Sequence, residues 1–159
     1  MLHIDIVCVG KIRESYLKDA IAEYQKRLSK YCILNIIELP DEKLPSKLND
    51  SLSFEIKQKE SNLILSHIKK DSYIIALDLK GKNYTSTQFS EKIQNLSLIT
   101  SHITFLIGGT LGMIDELLAN AKELICFSKM TFPHPLIRLF LLEQLFRGFK
   151  IMNGENYHH

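Results

Sequence analysis

The sequence predicts an α/β fold in which a parallel or mostly parallel sheet carries helices on both faces. Five short apolar segments have the length and the β-branched residues that are typical of strands. Stretches with apolar residues at steps of three and four, the pattern of amphipathic helices, lie between these segments. Strands that alternate with helices at this spacing form parallel sheets covered on both sides.

The first two strands flank a clear helix. Leu2 to Val9 is rich in β-branched residues and reads as a mostly buried strand that ends in a turn at Gly10. In residues 14–31, ESYLKDAIAEYQKRLSKY, apolar side chains recur on one helical face and charged ones on the other. The segment ILNIIEL, residues 33–39, is the second strand, and Pro40 ends it.

The middle of the chain repeats the alternation. Residues 40–50, PDEKLPSKLND, are polar with two prolines and predict a loop. A charged helix follows from about Ser51 to Ile68. The segment YIIALDL, residues 73–79, is the third strand, closed by the turn KGKN. A modest helix then runs from Ser86 toward Leu98.

The last third contains two more strands and the longest apolar helix. The segment ITFLI, residues 103–107, is the fourth strand and continues into a glycine pair. A short helix from about Ile114 to Ala121 follows it, and ELICFS, residues 123–128, is the fifth strand. The final helix is predicted from Pro135 to about Met152.

Length and composition indicate one ordinary globular domain over residues 1–159. The 18.3 kDa chain is 45% hydrophobic and 24% charged, which excludes a disordered chain. Its net charge of +2 is too small to indicate a nucleic-acid partner by itself. The longest apolar runs stop short of the ~18 residues that a membrane span needs, and the N-terminus lacks a basic leader. We therefore expect a cytoplasmic protein with no membrane association.

The cysteine pattern argues against a disulfide framework and against a zinc site. Cys8, Cys32 and Cys126 are odd in number, widely spaced and never arranged as CxxC. We expect them to be buried packing residues. No metal is predicted.

Glycines follow the fourth strand in the spacing GGxxG, at Gly108, Gly109 and Gly112. This is not the GxGxxG dinucleotide fingerprint, and it follows a late strand, so a Rossmann NAD site is not expected. Paired glycines let a ligand approach the main chain closely, and they also form tight turns. The spacing leaves both interpretations open.

His134 lies between two prolines, Pro133 and Pro135, on a bend that launches the final helix. It is either a structural residue beside that helix or a residue held rigidly for chemistry, and the pattern favours neither. Because Pro135 suits the first helical turn, the bend also fixes His134 relative to Arg138. Arg138, unlike Arg147 with its i−4 neighbour Glu143, has no acidic residue at helical spacing.

The final helix is apolar nearly all round, which predicts burial on more than one side. We expect a second copy of the chain to cover one side, giving a homodimer. The alternative is a central helix within a monomer.

Several blocks together resemble the ribosomal RNA large subunit methyltransferase H family, a group of small SPOUT-class enzymes. They include VGKIRESYLKDAIAEYQKRL, ELPDEK, ALDLKGK, FLIGGTLG, FSKMTFPHPLIRLFLLEQLFRGFKIM and the terminal Tyr157-His158. The resemblance covers essentially the whole chain. It implies a SPOUT-type sheet with a deep C-terminal trefoil knot, a homodimer, and S-adenosylmethionine as cofactor. The implied product is N3-methylated pseudouridine in 23S ribosomal RNA of assembled ribosomes.

The resemblance also implies a set of site residues. The cofactor residues by position are Leu77, Gly108, Cys126, Phe127, Ser128, Lys129, Met130 and Thr131, with Gly109 and Gly112 as additions. For the methyl acceptor, we expect His134 or His158 to receive the imide proton, since the ordinary pKa of histidine suits a general base near neutrality. Arg138 is expected to stabilise uracil carbonyl charge or to bind a phosphate, and Tyr157 to stack on the base.

Two other functions fit the same features. A SPOUT methyltransferase could act on transfer RNA instead. A cofactor-free factor could use the dimer and the mildly basic C-terminal region to bind RNA or the ribosome.

Overall fold

The computed structural model describes residues 1–157 and confirms the α/β prediction. Its strands are β1 (Leu2–Val9), β2 (Cys32–Leu39), β3 (Tyr73–Lys82), β4 (His102–Ile107) and β5 (Glu123–Ile125). Its helices are α1 (Ser15–Leu28), α2 (Asp50–Ser66), α3 (Ser86–Ile99), α4 (Asp115–Asn120) and α5 (His134–Met152). Within these residues, no helix is both long enough and apolar enough to cross a bilayer.

All neighbouring strands pair in parallel, in the order β2-β1-β4-β3-β5. The strands at the centre, β1 and β4, are almost wholly buried because both of their faces are covered. In a parallel sheet every carboxyl end lies at the same edge. The loops after β1, β3, β4 and β5 therefore meet along one edge, where ligands of such sheets bind.

Alternating side chains of β1 divide the core into two layers. Ile4 and Ile6 belong to a cluster with buried residues of α1, α3 and α5. Val7 and Val9 belong to a second cluster with buried residues of α2 and α4. Because successive strand residues face opposite sides of a sheet, three helices cover one face and two cover the other.

Helix α5 lies between α1 and α3 on the three-helix face, which explains much of its apolar character within one chain. Tyr24 of α1 packs edge-on against Phe146, and Ser90 of α3 donates a 2.8 Å hydrogen bond to the Gly148 carbonyl. A Cβ on Gly148 would lie 3.6 Å from the Ser90 Cα, which is an ordinary van der Waals contact, so the two helices pack at a distance that would also admit alanine. Six apolar residues of α5 stay partly exposed, namely Leu136, Ile137, Leu139, Phe140, Ile151 and Met152.

Two strand boundaries differ from those predicted. Strand β3 continues past Leu79 to Lys82, because after an irregularity it pairs again, Lys82 with Ile125. Strand β5 ends at Ile125 instead of Ser128. The main chain of β5 passes so close to Gly81 that a Cβ there would lie 2.5 Å from the Ile125 carbonyl carbon.

Candidate active site

A cavity of about 370 Å³ lies at the carboxyl edge of the sheet. Its walls come from the second half of β3 (residues 77–80), from the ends of β4 and β5 with the loops after them, and from the start of α5. The volume falls within the ~300–1,000 Å³ range of small-molecule sites. The cavity is therefore the size and in the place where this class of fold binds a cofactor.

Nine of the ten cofactor residues expected from the sequence line this cavity; they are Leu77, Gly108, Gly109, Gly112, Cys126, Phe127, Ser128, Met130 and Thr131. Lys129 does not line it. The cavity also includes residues that the sequence analysis did not name, among them Asp78, Lys80, Thr110, Leu111, Met113, Phe132 and Ile137. Most of these residues lie next to predicted cofactor residues in the sequence. Extending each predicted segment by a few positions would therefore have included them.

The glycine turn after β4 is built so that one wall of the cavity is main chain. The Gly112 amide donates a 3.0 Å hydrogen bond to the Gly109 carbonyl, and Gly112 has a φ of +85°. A Cβ on Gly108 would lie 2.8 Å from the Met113 side chain, and one on Gly109 would lie 2.7 Å from a Glu60 oxygen. A side chain at either position would displace Met113 or Glu60, so the glycines let these neighbours pack against the turn, whose main chain lines the cavity.

Backbone hydrogen bonds hold the loop after β5 against the end of β3. The Cys126 amide donates to the Lys82 carbonyl at 3.0 Å, and the Asn83 side chain donates to the Cys126 carbonyl at 2.7 Å. The Cys126 thiol reaches the Ser128 carbonyl at 2.9 Å. Further along, Met130 is 73% exposed, so this end of the loop is open.

His134 is half-buried and lines the cavity together with the glycine turn. Within residues 1–157 its Nδ1 is buried and has no hydrogen-bond partner. Burial is the main cause that lowers the pKa of His134; the Arg138 charge lowers it further and Asp41 opposes the shift. The imidazole is therefore neutral near pH 7 and able to accept a proton.

Arg138 lies elsewhere than expected, and this corrects the prediction that it contacts the substrate. It is 1% exposed and does not line the cavity. Its Nη1 donates to Glu38 Oε2 at 2.6 Å, and its Nη2 donates to the Gly10 carbonyl at 3.0 Å. Since a buried, paired guanidinium cannot bind a phosphate without breaking these bonds, Arg138 acts within the chain. Arg138 has no acidic partner on its own helix, and its acidic partner is instead Glu38 on β2.

Tyr157 is held at the other end of α5. Its hydroxyl donates to Glu143 at 3.0 Å, its ring packs edge-on against Phe146, and the Arg147 guanidinium lies over it. The neighbouring Glu155 accepts hydrogen bonds from side chains of α5 and of the segment before β2. The tail is therefore docked on its own chain and not in that chain's cavity. His158 lies outside the described residues.

Glu60 of α2 is a buried acid behind the glycine turn that sequence reasoning missed. Its Oε2 accepts a 3.0 Å hydrogen bond from the Glu42 amide, and its carboxyl adjoins Gly109. Burial raises the pKa of Glu60; the Glu42 amide opposes this, and the charges of Asp41 and Glu42 add to it. In the sequence Glu60 is one of several charged residues of a predicted helix, and nothing there distinguishes it from the exposed ones. No cluster of three or more metal-ligating side chains occurs among residues 1–157.

Comparison with known families identifies the class of protein that has this fold and cavity as the SPOUT methyltransferases. A family model described as a predicted SPOUT methyltransferase matches residues 2–158. The chain is 52% identical over 158 residues to ribosomal RNA large subunit methyltransferase H 1 of Clostridium perfringens (strain SM101 / Type A). It is 57% identical over 160 residues to ribosomal RNA large subunit methyltransferase H of Clostridium botulinum (strain Kyoto / Type A2).

Each of these alignments covers 99% of both chains. The protein belongs to the ribosomal RNA large subunit methyltransferase H family of SPOUT methyltransferases, as its sequence blocks predicted.

Two solved structures share the fold at low identity. A probable methylase family protein from Haemophilus influenzae Rd KW20 aligns with a TM-score of 0.56 and 10% identity, covering 98% of this chain and 70% of that one. The putative methyltransferase Lpg2936 from Legionella pneumophila, solved with its cofactor SAM bound, aligns with a TM-score of 0.51 and 11% identity. That alignment covers 95% of this chain and 66% of the other. These likenesses support the fold assignment.

Proposed function

We propose that the protein uses S-adenosylmethionine to methylate N3 of a pseudouridine in 23S ribosomal RNA, in the cytoplasm and on assembled ribosomes. The observation that carries this proposal is the cavity at the carboxyl edge, since nine of the ten family cofactor positions line it. These positions come from three separate segments, strand β3 and the loops after β4 and β5, so their convergence is a property of the fold and not of sequence adjacency.

The residues around the cavity fit such a cofactor. Glycine main chain at Gly108 and Gly109 leaves room for a flat ring, and apolar side chains such as Leu77 and Phe127 form other walls. Main-chain donors and acceptors of the loop after β5 would bind its polar edge. When bound, this cofactor supplies a methyl group already activated on a sulfonium.

The chain must then align the acceptor and remove its proton. The N3 of a pseudouridine lies between two carbonyls and carries a proton that leaves before or during attack. His134 is the candidate acceptor within the described residues, because its imidazole is neutral and borders the cavity. Holding the reacting atoms in line at roughly 3 to 3.5 Å contributes several kcal/mol of the barrier reduction.

The remaining acceptor residues are proposed to come from a second copy of the chain. Nine positions of α5 separate His134 from Glu143, which anchors Tyr157, so the tail lies about 13 Å along the helix from the histidine. In a homodimer formed on the partly exposed apolar side of α5, each tail would serve the partner's cavity, where Tyr157 would stack on the base. The C-terminal trefoil knot implied by the family belongs to the same proposal.

Labelled methyl transfer tests the function directly. Intact ribosomes, free large subunits, naked ribosomal RNA and transfer RNA are each incubated with the protein and labelled S-adenosylmethionine, and the product is digested and identified. We expect N3-methylpseudouridine from assembled ribosomes. Labelling of transfer RNA alone would favour the other SPOUT activity. Failure to bind the cofactor in calorimetry would favour a cofactor-free RNA-binding factor.

The composite site has its own test. Deleting the residues after Gly154 should leave a folded protein that binds the cofactor but does not methylate. Mixing this truncated chain with a full-length chain that carries His134→Gln should restore part of the activity, because one mixed dimer then holds one complete site. A fully active truncated protein would contradict the composite site.

A further inference from the structure

We propose that Glu38 and Arg138 are positioning residues that hold the imidazole of His134 against Gly10 at the wall of the cavity. The arrangement holds the imidazole ring in one fixed orientation at the cavity wall. The functional meaning rests on the proposed methyl transfer, but the positioning is a property of the folded protein and can be measured without it.

The first step of the argument is that one guanidinium joins three elements. Arg138 Nη1 donates to Glu38 Oε2 at the end of β2, and Arg138 Nη2 donates to the Gly10 carbonyl just after β1. The same Glu38 oxygen accepts a 3.1 Å hydrogen bond from the Ile12 amide. The start of α5 is thereby tied to the carboxyl ends of β1 and β2.

The second step is that Gly10 forms the surface on which the histidine ring rests. A Cβ on Gly10 would lie 2.7 Å from His134 Cε1, so the ring occupies the space of the missing side chain. Gly10 has a φ of +98°. Its amide donates to the Leu39 carbonyl at 2.7 Å and its carbonyl accepts from Arg138, so both ends of this residue are fixed.

The third step is energetic. A fully buried arginine paired to a carboxylate is a poor stabilising device, because the cost of desolvation can exceed the attraction of the charges. Arg138 nevertheless is 1% exposed, and its Nε is buried without a partner in residues 1–157. A solvent-exposed ion pair such as Arg27 with Glu23 involves no comparable burial. Glu38 keeps 37% of its side chain exposed, so the burial falls on Arg138, and it is better explained by the orientation that the pair imposes on its neighbours.

Arg138 affects His134 through its charge as well as through its hydrogen bonds. The Arg138 cation, one helical turn from His134, lowers the pKa of the imidazole in addition to burial. The pKa of Glu38 is raised by burial but lowered more by the hydrogen bonds of Ile12 and Arg138 and by nearby cations, so it remains a carboxylate. The other charged groups around the histidine and its cavity are Asp41, Lys11, Asp78 and Lys80.

The test measures the titration of His134 by NMR of labelled histidine rings, with the signal assigned from the His134→Gln spectrum. The double variant Glu38→Gln/Arg138→Met removes both charges together and so avoids leaving the buried site with one of them unpaired. We expect the pKa of His134 to rise in this variant toward the ordinary value, because the nearby cation is gone. The matched control Glu23→Gln/Arg27→Met, on the exposed pair, should leave the titration unchanged. An unchanged His134 titration in the double variant would overturn the proposal.

A second variant separates charge from geometry. Arg138→Lys keeps the cation but loses the planar fork that reaches Glu38 and Gly10 at once. We expect the pKa of His134 to stay low while kcat falls at least tenfold and the cofactor affinity changes less than about twofold, since misplacement of a reacting group by about 1 Å costs up to 10²-fold. Unchanged kcat in Arg138→Lys would overturn the geometric part.

The pH profile links the positioning to the reaction. In the double variant, the acid limb of kcat/KM on ribosomes should move to higher pH together with the NMR titration. If the NMR titration moves and the acid limb does not, the positioning stands and His134 is not the proton acceptor of the proposed function.

Discussion

Helix α5 carries two polar clusters at its two ends, and they differ in how completely their atoms are paired. At the cavity end, residues 134–138, His134 Nδ1 and Arg138 Nε are buried without partners among the described residues. At the tail end, residues 143–157, Glu143 accepts hydrogen bonds from Tyr24 at 2.5 Å, from Tyr157 at 3.0 Å and from Arg147. Buried polar atoms are nearly always paired, so the cavity end is the exception.

The difference teaches where this helix has a chemical role and where it has a structural one. A buried polar group without a partner destabilises the fold by about 1–3 kcal/mol. Each such group in a native protein calls for an explanation, and under the proposed function it is that His134 takes part in the reaction while Arg138 holds its ring in place. The saturated cluster at Glu143 instead fixes the tail on α1 and α5. Each of the following changes would break or sharpen this contrast.

The largest expected effect comes from His134→Gln at the cavity end. Loss of the proton acceptor should lower kcat by about 10²–10⁴-fold, the usual contribution of general-base catalysis. The matched control is His67→Gln, on an exposed histidine after α2. Kinetics on ribosomes and calorimetry with the cofactor would measure it. Equal activity of the two variants would remove the chemical distinction between the ends of α5.

Gly10→Ala should have the next largest effect. The new Cβ would lie 2.7 Å from His134 Cε1 and at a φ of +98°, so the ring must move and the backbone is strained. We expect activity to fall at least tenfold, with a lower Tm. Gly148→Ala is the control, because a Cβ there would lie 3.6 Å from the Ser90 Cα, an ordinary van der Waals contact away from the cavity. A similar loss of activity in both would show that the histidine does not depend on this contact.

Glu143→Ala should affect stability and leave the cavity end unchanged. It removes the acceptor of the Tyr24 and Tyr157 hydroxyls, so we expect a loss of about 1–3 kcal/mol in the free energy of unfolding. Urea denaturation would measure it, and the NMR titration of His134 should not change. A shifted His134 titration would show that the two ends are coupled, contrary to the comparison.

The smallest effect is expected from Glu60→Gln, behind the glycine turn of the cavity. Because the pKa of Glu60 in the folded protein is raised, its stabilising contribution is present below its ordinary pKa of 4.5 and is lost as pH rises through the folded pKa. Relative to Glu60→Gln, the natural protein should therefore lose stability between acidic and neutral pH. Thermal unfolding across this range would measure it, with the exposed Glu55→Gln as control. Parallel curves for the natural protein and Glu60→Gln would contradict the expectation.

The sequence was sufficient to predict the elements and the loops of the cavity because both have local signals. The apolar periods of β1, α1 and β4 predict their structure directly, and the glycine spacing after β4 identifies a turn open to a ligand. Strand β5 was predicted three residues too long, because the residues after Ile125 keep strand-like composition while the chain turns away.

Pairings between distant segments could not be predicted in this way. Glu38 and Arg138 are 100 positions apart, and neither residue has a pattern that names the other. The contact between Gly10 and His134 could not be predicted either, because the ring packs where Gly10 has no side chain and a glycine does not indicate which residue fills that space. Such contacts depend on the order of strands in the sheet, which places β1 and β2 beside the start of α5. The strand order cannot be deduced from the local periodicity of the sequence.

The position of β1 at the centre of the sheet has a consequence for how the protein acquires its structure. This strand precedes the other four strands in the sequence, but one of its two partners is β4, and the Asp5–His102 contact between them spans 97 positions. The interior of the sheet thus closes only when most of the polypeptide exists. Non-local closure of this kind slows folding and exposes apolar edges in the interval. We expect refolding on the slow side for the chain's length and early assistance from chaperones during biosynthesis.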